Sequence, residues 1–170
     1  KQSAISNYEK LFSTYTDLLN GELAGHGVVN YLSSHDDAEP FDQERSNPLE
    51  AASKLLLCPG ASQVYYGDES SRELIIAGTN GDATLRGPMN WKEIESNTIR
   101  NGFKTFEVLE HYQKLGQFRR DHPSVGAGSH QMLQQKPYIF SRTFERNGYS
   151  DKVLVGMDLD KGRKKIAVKS

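Results

Sequence analysis

The sequence has one cysteine, no long apolar run and almost no net charge, and each of these absences excludes something. Cys58 has no second cysteine to pair with, so an internal disulfide is excluded and a small buried side chain is expected there. No segment is apolar over the length that a bilayer requires. Because 21 Lys and Arg face 22 Asp and Glu, with a net charge of -1, we expect neither nucleic acid nor a membrane as a partner.

Internal repeats, low-complexity segments and a signal peptide are also missing. The first four residues, Lys1 to Ala4, include no methionine and begin no apolar stretch. We therefore expect the chain to be a piece of a longer protein, called the parent below. With 36% hydrophobic residues among 170, this piece can bury a core the size of one domain.

An apolar run from Val28 to Leu32 organises the rest of the pattern. Its β-branched and aromatic residues, with turn residues on both sides, predict a short buried strand. Asn47, as the expected capping side chain, and Pro48 then begin a helix, predicted over residues 49–58, that is apolar almost all round. A second strand is predicted from Gln63 to Tyr66, so that the two strands and the helix form a parallel βαβ unit.

A polar cluster, residues 33–37, follows the first strand at the edge where parallel sheets bind ligands. It can cap a turn, with His35 as a partly buried, hydrogen-bonded ring. It can bind a metal together with Glu39, although adjacent strand residues point to opposite faces, which argues against His35 and Asp36 sharing one ion. It can also process carbohydrate, with a carboxylate stabilising a cation-like sugar and an imidazole binding a hydroxyl.

The remaining segments are predicted in chain order. A helix with one buried face is expected from Ile5 to Leu19. A long irregular loop over residues 70–102, which contains Arg86, is typical of a functional loop. Another helix is predicted from Lys104 to Arg120. Short strands over residues 125–168, separated by turns such as Asn147-Gly148, predict an antiparallel meander.

Four motifs in fixed order make the sequence resemble the alpha-amylase family of glycoside hydrolases. They are YLSSHDD at 31–37, PGASQVYYGDE at 59–69, RGPMNW at 86–91 and LGQFRRDHP at 115–123. The resemblance implies an α/β fold in which residues 1–122 form the C-terminal portion of a TIM (β/α)8 barrel, with about two parallel strands and flanking helices. Residues 125–170 are then the start of an antiparallel, β-sandwich-like C-terminal domain.

The resemblance also assigns roles to four side chains. Asp36 matches the family's third catalytic carboxylate, which stabilises an oxocarbenium-like transition state, and His35 matches a histidine that binds sugar hydroxyls. Asp37 and Arg86, which we expect to contact substrate, match positions that are less closely tied to the chemistry. Asp68 and Glu69 match such positions too, and a rim or structural role is the alternative for all four. The implied substrates are alpha-glucans such as starch and maltooligosaccharides. We expect no metal site and no required cofactor in this piece, and calcium stays open for the parent.

Two carboxyl groups of the family's mechanism lie outside this sequence. The nucleophilic Asp and the acid/base Glu belong to earlier barrel strands, and Asp121 is expected to be only a turn residue before His122-Pro123. A retaining mechanism needs both groups. The chain alone is therefore expected to be inactive, with enzymatic activity belonging to the parent. The alternative is a stand-alone, non-catalytic module that binds carbohydrate or another protein.

Two departures leave the subgroup open. Ser34 stands where the family often has Asn, and Ser62 where it often has Pro, so an endo-acting amylase, a debranching-type glucosidase and a transglycosylase all fit. The resemblance points to an extracytoplasmic or secreted parent. Because barrel strands without their neighbours have open edges, we expect the isolated piece to form dimers or oligomers through these strands and their flanking helices.

Overall fold

The computed structural model describes residues 8–37, 39–157, 159, 160, 162, 165 and 166. The helices are α1 (Tyr8–Asn20), α2 (Pro48–Leu56), a 3-10 helix (Gly81–Leu85), α3 (Trp91–Glu95), α4 (Thr105–Asp121) and α5 (Ser124–Ala127). The strands are β1 (Val29–Asn30), β2 (Ala61–Ser62), β3 (Ile99–Arg100), β4 (Phe103–Lys104), β5 (Ser129–Gln134), β6 (Ile139–Arg146) and β7 (Tyr149–Gly156). The three long helices lie where the sequence predicts them, and Ile5, expected in the first, is outside the described residues.

Strands β1 and β2 pair in parallel across α2, which confirms the prediction of a βαβ unit. The paired residues are Val29 with Ala61 and Asn30 with Ser62. The second strand was expected at 63–66, and this position is wrong. The ladder is short: the carbonyl of Asn30 still accepts the N–H of Gln63 at 2.8 Å, whereas the carbonyl of Leu32 accepts the N–H of Phe41 at 2.8 Å.

The sequence predicts that the first strand is buried, and this prediction is wrong for two of its large side chains. Val29 and Tyr31 are 57% and 53% exposed, and only Leu32 is buried among the large residues of that run. Val64 and Tyr66, after β2, are likewise exposed. A two-stranded sheet leaves both outer edges open, and within the described part of the chain these side chains face solvent.

Helix α2 begins at Pro48, as predicted, because proline at the first position has no N–H to leave unsatisfied. The side chain of Asn47, expected to cap the helix, makes no capping hydrogen bond. Instead, Asp42 accepts the backbone N–H groups of Ser46 at 2.8 Å and of Asn47 at 3.1 Å. The loop between β1 and α2 is thereby tied to the start of the helix.

Among the described residues, the two larger of three apolar clusters pack the long helices and the C-terminal strands together. The first lies mainly between α2 and α4 and contains Leu32, Ala51, Ala52, Leu55, Leu56, Val108 and Tyr112. The second joins α1 to the C-terminal strands and contains Tyr8, Phe12, Leu57, Cys58, Val125, Tyr138, Phe140 and Val153. Cys58 is a buried free thiol, as expected, and burial raises its pKa to about 11. It is therefore a packing residue with little thiolate character at neutral pH.

The C-terminal strands form an antiparallel meander in the order β5-β6-β7, which confirms the prediction over residues 129–156. Its predicted start at residue 125 is wrong, because residues 124–127 form α5, and most of the predicted stretch beyond residue 157 lies outside the described residues. Strands β6 and β7 join through Asn147-Gly148, whose φ values of 52° and 80° suit a tight two-residue hairpin. The predicted domain boundary between residues 122 and 125 stays a prediction. Among the described residues, no helix combines the length and apolar character needed to cross a membrane.

Candidate active site

The loop after β1 brings His35 and Asp36 into one turn. Ser34 Oγ accepts the N–H of Asp36 at 3.2 Å, a local bond that stabilises such turns. His35 Nε2 lies 2.9 Å from Asp36 Oδ2. The expectation that these neighbours point to opposite faces is wrong, because they lie in a turn and not in a strand.

Arg86 reaches this turn from a distant part of the chain. It follows the 3-10 helix and is 50 residues from Asp36 in sequence. Its Nη2 donates to Asp36 Oδ1 at 2.7 Å, and its Nε donates to the backbone carbonyl of His35 at 3.4 Å. The structure thus brings three of the four predicted site residues together, and we call His35, Asp36 and Arg86 the charged trio.

The charged trio is open to solvent. The side chains of His35, Asp36 and Arg86 are 59%, 58% and 49% exposed. Asp36 has one partner on each oxygen, but a carboxylate offers about four lone-pair positions, so it can accept further hydrogen bonds from a ligand. Because an ionised carboxylate only accepts, a neutral His35 carries its proton on Nε2 and keeps Nδ1 as an acceptor. These groups suit a ligand that is rich in hydroxyls.

Asp37, the fourth predicted residue, lies apart from the charged trio. Its Oδ1 accepts the N–H of Glu39 at 3.1 Å. Its side chain lines a separate pocket of about 370 Å³ together with Tyr15, Tyr31 and Phe41. The contacts of Asp37 therefore shape the loop, and its expected contact with substrate stays a prediction.

A buried ion pair supports the same strand end. Arg45 Nη2 lies 2.7 Å from Asp68 Oδ1, with side chains 3% and 0% exposed. Ser33 Oγ donates to the same oxygen at 2.7 Å, and Arg45 Nε donates to the carbonyl of Arg72 at 3.0 Å. Buried charges are stable only with partners of this kind. Asp68 is therefore a structural residue that connects the loops after β1 and β2.

Sequence reasoning did not identify Arg72 and Tyr65, which lie behind the loop of Arg86. Arg72 is 2% exposed and Tyr65 is 8% exposed. Burial raises the pKa of the Tyr65 phenol, and the neighbouring Tyr66 raises it further, so the phenol remains a donor at neutral pH. The one signal in the sequence was the aromatic pair Tyr65-Tyr66 at the end of the expected second strand.

The geometry bears on each of the three interpretations of residues 33–37, which are a metal site, a capped turn and a carbohydrate site. Within the described residues, no group of three or more His, Cys, Asp or Glu side chains is arranged to hold a metal ion. The positive charge of Arg86 beside Asp36 also opposes a cation there. The capped turn is present at Ser34, but His35 is exposed and not the partly buried ring of that interpretation. The arrangement of the charged trio favours a carbohydrate ligand.

Sequence comparison gives one curated relative. No protein-family model matches the chain. The periplasmic alpha-amylase of Escherichia coli strain K12 is 40% identical over 134 residues, which are 79% of this chain and 18% of that protein. The chain therefore spans less than a fifth of the length of the curated relative it matches.

Solved structures share the fold. Trehalose-6-phosphate hydrolase of Bacillus licheniformis matches with a TM-score of 0.50 and 15% identity, over 81% of this chain and 35% of that one. Isomaltulose synthase from Erwinia rhapontici NX5 matches with a TM-score of 0.53 and 16% identity, over 92% of this chain and 38% of that one. At these identities the likeness concerns the fold alone. With the 40% sequence match beside it, the chain belongs to the alpha-amylase family of glycoside hydrolases.

Proposed function

We propose that this chain is part of an alpha-amylase-type glycosidase that acts on alpha-glucans such as starch and maltooligosaccharides. Residues 1–122 form the C-terminal portion of its TIM barrel in this proposal. The observation that carries it is the Asp36 carboxylate, exposed beyond a parallel strand with His35 on one oxygen and Arg86 on the other. Ligands of parallel α/β folds bind at that end of the strands.

Asp36 is the residue we propose for transition-state stabilisation. Cleavage of a glycosidic bond builds positive charge on the sugar ring, and a fixed negative charge nearby lowers the barrier. His35 and Arg86 hold its two oxygens in place, so little reorganisation is needed during the reaction. Since part of the lone-pair capacity of Asp36 remains open, sugar hydroxyls can bind the same carboxylate.

His35 and Arg86 are proposed to bind the sugar in addition to holding Asp36. The free Nδ1 of a neutral His35 accepts a hydroxyl hydrogen, and the guanidinium of Arg86, which carries five N–H donors and no acceptor, donates to a sugar oxygen. Asp37 is proposed for the rim, because its pocket lies beside the turn. The nucleophile and the general acid come from the parent in this proposal, since Asp36 alone cannot supply both roles.

The name of the curated relative supports two further points. That relative is a periplasmic alpha-amylase, and we propose that the parent acts on the same class of substrate. We also propose an extracytoplasmic location for it. An endo-acting amylase, a debranching-type glucosidase and a transglycosylase release different products. The test below identifies the products of the parent and so separates the three.

The test compares the full-length parent with the 170-residue chain. Both are incubated with starch, maltooligosaccharides and sucrose, and the products are resolved by chromatography. The parent is expected to release shorter glucans, whereas the isolated chain is expected to match buffer. Failure of the parent on every alpha-glucan would contradict the proposal. So would turnover by the isolated chain that survives repurification and disappears on Asp36→Asn.

We further propose that the rest of the parent barrel covers the outward side chains of β1 and of the segment after β2. Val29, Tyr31, Val64 and Tyr66 are exposed large residues in one region of the chain, and open strand edges recruit other strands. Light scattering over a dilution series of the isolated chain should show dimers or larger species that dissociate on dilution. A monomer at high concentration with cooperative melting would contradict this.

A further inference from the structure

The backbone on the N-terminal side of Arg86 is held by two donors. The carbonyl oxygen of Leu85 accepts the hydroxyl of Tyr65 at 3.0 Å and Nη2 of Arg72 at 3.1 Å. Leu85 itself is 3% exposed and packs with Tyr65 and Leu74. The residue before Arg86 is therefore fixed both by its side chain and by its carbonyl group.

The backbone on the C-terminal side of Arg86 is held in the same way. The carbonyl oxygen of Gly87 accepts the hydroxyl of Tyr66 at 2.7 Å and Nη1 of Arg72 at 3.4 Å. A side chain at Gly87 would place its Cβ 2.7 Å from Ile76, which is closer than real Cβ contacts allow. We call Tyr65, Tyr66 and Arg72 the carbonyl clamp, since each of them donates to a carbonyl adjacent to Arg86.

Arg72 is itself fixed. It is 2% exposed, its guanidinium carbon lies 4.3 Å from the centre of the Tyr66 ring, and its Nε donates to the Tyr66 carbonyl at 3.3 Å. A Cβ on Gly67, whose φ is +91°, would lie 2.5 Å from the Cβ of Arg72. A buried guanidinium needs a partner for its donors, and this one directs them at the loop of Arg86.

Such a clamp matters because the ion pair it supports is exposed. Arg86 and Asp36 approach to 2.7 Å, with side chains about half exposed. A solvent-exposed pair of this kind is weak when both side chains must be ordered for it. Holding the backbone on both sides of Arg86 removes part of that entropic cost before any ligand arrives.

We propose that the carbonyl clamp is a positioning device for the reaction: Tyr65, Tyr66 and Arg72 hold Arg86 where it orients Asp36. This inference rests on the proposed function, because it needs the Arg86–Asp36 pair to act in turnover. The clamp residues act through Arg86 and do not touch the substrate. Their removal therefore lowers kcat/KM only while Arg86 is present.

A double-mutant cycle in the full-length parent tests the clamp. The proteins are wild type, Tyr66→Phe, Arg86→Ala and the double variant, and the readout is kcat/KM on a maltooligosaccharide. Tyr66→Phe removes one hydrogen bond to Gly87 and should lower kcat/KM about fivefold. In the Arg86→Ala background the same change should have no further effect. Tyr149→Phe, at an exposed tyrosine of the meander, is the matched control and should leave kcat/KM unchanged.

Each alternative outcome has a distinct meaning. If Tyr66→Phe is silent in the wild type, or costs the same in both backgrounds, the clamp is wrong while the proposed function stands. If Arg86→Ala leaves kcat/KM unchanged, the clamp has no target, and the proposed role of Arg86 fails with it. Should Tyr66→Phe melt far below the wild type, Tyr65→Phe, which removes the bond to Leu85, takes its place in the cycle with the same two criteria.

Discussion

Two arginine–aspartate pairs at the ends of β1 and β2 have the same length and opposite surroundings. In both, an arginine nitrogen lies 2.7 Å from an aspartate oxygen. Arg45 and Asp68 are almost fully buried, whereas Arg86 and Asp36 are about half exposed. Distance alone therefore does not say what an ion pair does.

Burial separates the two roles. Asp68 shares its bonded oxygen between Arg45 and Ser33, and all three groups lie inside the protein. Such a pair stabilises one arrangement of the loops, and a ligand cannot reach it. Asp36 keeps acceptor positions open to solvent, so the same chemistry is available to a substrate. The comparison is therefore tested by asking, for each pair, whether its loss lowers the stability of the fold or the rate of turnover.

The largest expected effect is on stability, at the buried pair. Asp68→Asn in the parent leaves Arg45 buried with a neutral partner, and breaking a buried pair costs about 3–5 kcal/mol. Urea unfolding of the domain that contains it should show this loss. Asp121→Asn is the matched control, since the Arg120–Asp121 pair is exposed on both sides and an exposed pair contributes little to stability. Equal losses in the two variants would contradict the distinction by burial.

A smaller effect is expected on activity at His35. His35→Ala removes the imidazole that lies 2.9 Å from Asp36, and the loss of one hydrogen bond to a charged group should lower kcat about tenfold. The urea midpoint should stay unchanged, because the ring is exposed. His26→Ala, at a histidine exposed before β1, should alter neither quantity. A His35→Ala variant with a lower urea midpoint and the wild-type kcat would contradict this, since the ring would then stabilise the fold and take no part in turnover.

The smallest effect concerns a third aspartate, in the meander. Burial alone would raise the pKa of Asp151, but hydrogen bonds from Ser124 and His122 outweigh it and lower the pKa to about 2. The folded state therefore binds this proton more weakly than the unfolded state, whose value is near 3.8. The stability that Asp151 contributes is present above pH 3.8 and is lost as the pH falls towards 2.

Urea midpoints of the wild type and of Asp151→Asn, measured from pH 7 down to pH 2, check this contribution. The wild type should be more stable at pH 7, and the difference should shrink between the two pKa values. A difference that is the same at every pH would show that the carboxylate charge does not matter. At the exposed Asp36, by contrast, we propose that the charge acts in turnover.

The sequence predicted those parts of the molecule that depend on local pattern. Pro48 marked the start of α2, Asn147-Gly148 marked the hairpin, and the order of strand, helix and strand predicted the parallel pair. The order of four motifs, the first of them around His35 and Asp36, led to the family that the comparisons bear out. Each of these signals is a short run of residues or the order of such runs along the chain, which is what sequence patterns record.

The rest depended on contacts between distant residues. Arg45 meets Asp68 across 23 positions, and Arg86 meets Asp36 across 50. No local pattern indicates such a partner, and so the buried pair and the carbonyl clamp were missed. The exposure of Val29 and Tyr31 was also missed, because an apolar run of β-branched and aromatic residues predicts burial by neighbours that the described residues do not supply.

The kcat of Asp36→Asn in the full-length parent, on a maltooligosaccharide, tests the central claim most directly. The substitution keeps the shape of the side chain and removes its charge, so kcat should fall about a hundredfold or more. The melting temperature should stay near that of the wild type, because the side chain is more than half exposed. A folded variant that turns over at the wild-type rate would contradict the account, since the exposed carboxylate would then take no part in the chemistry.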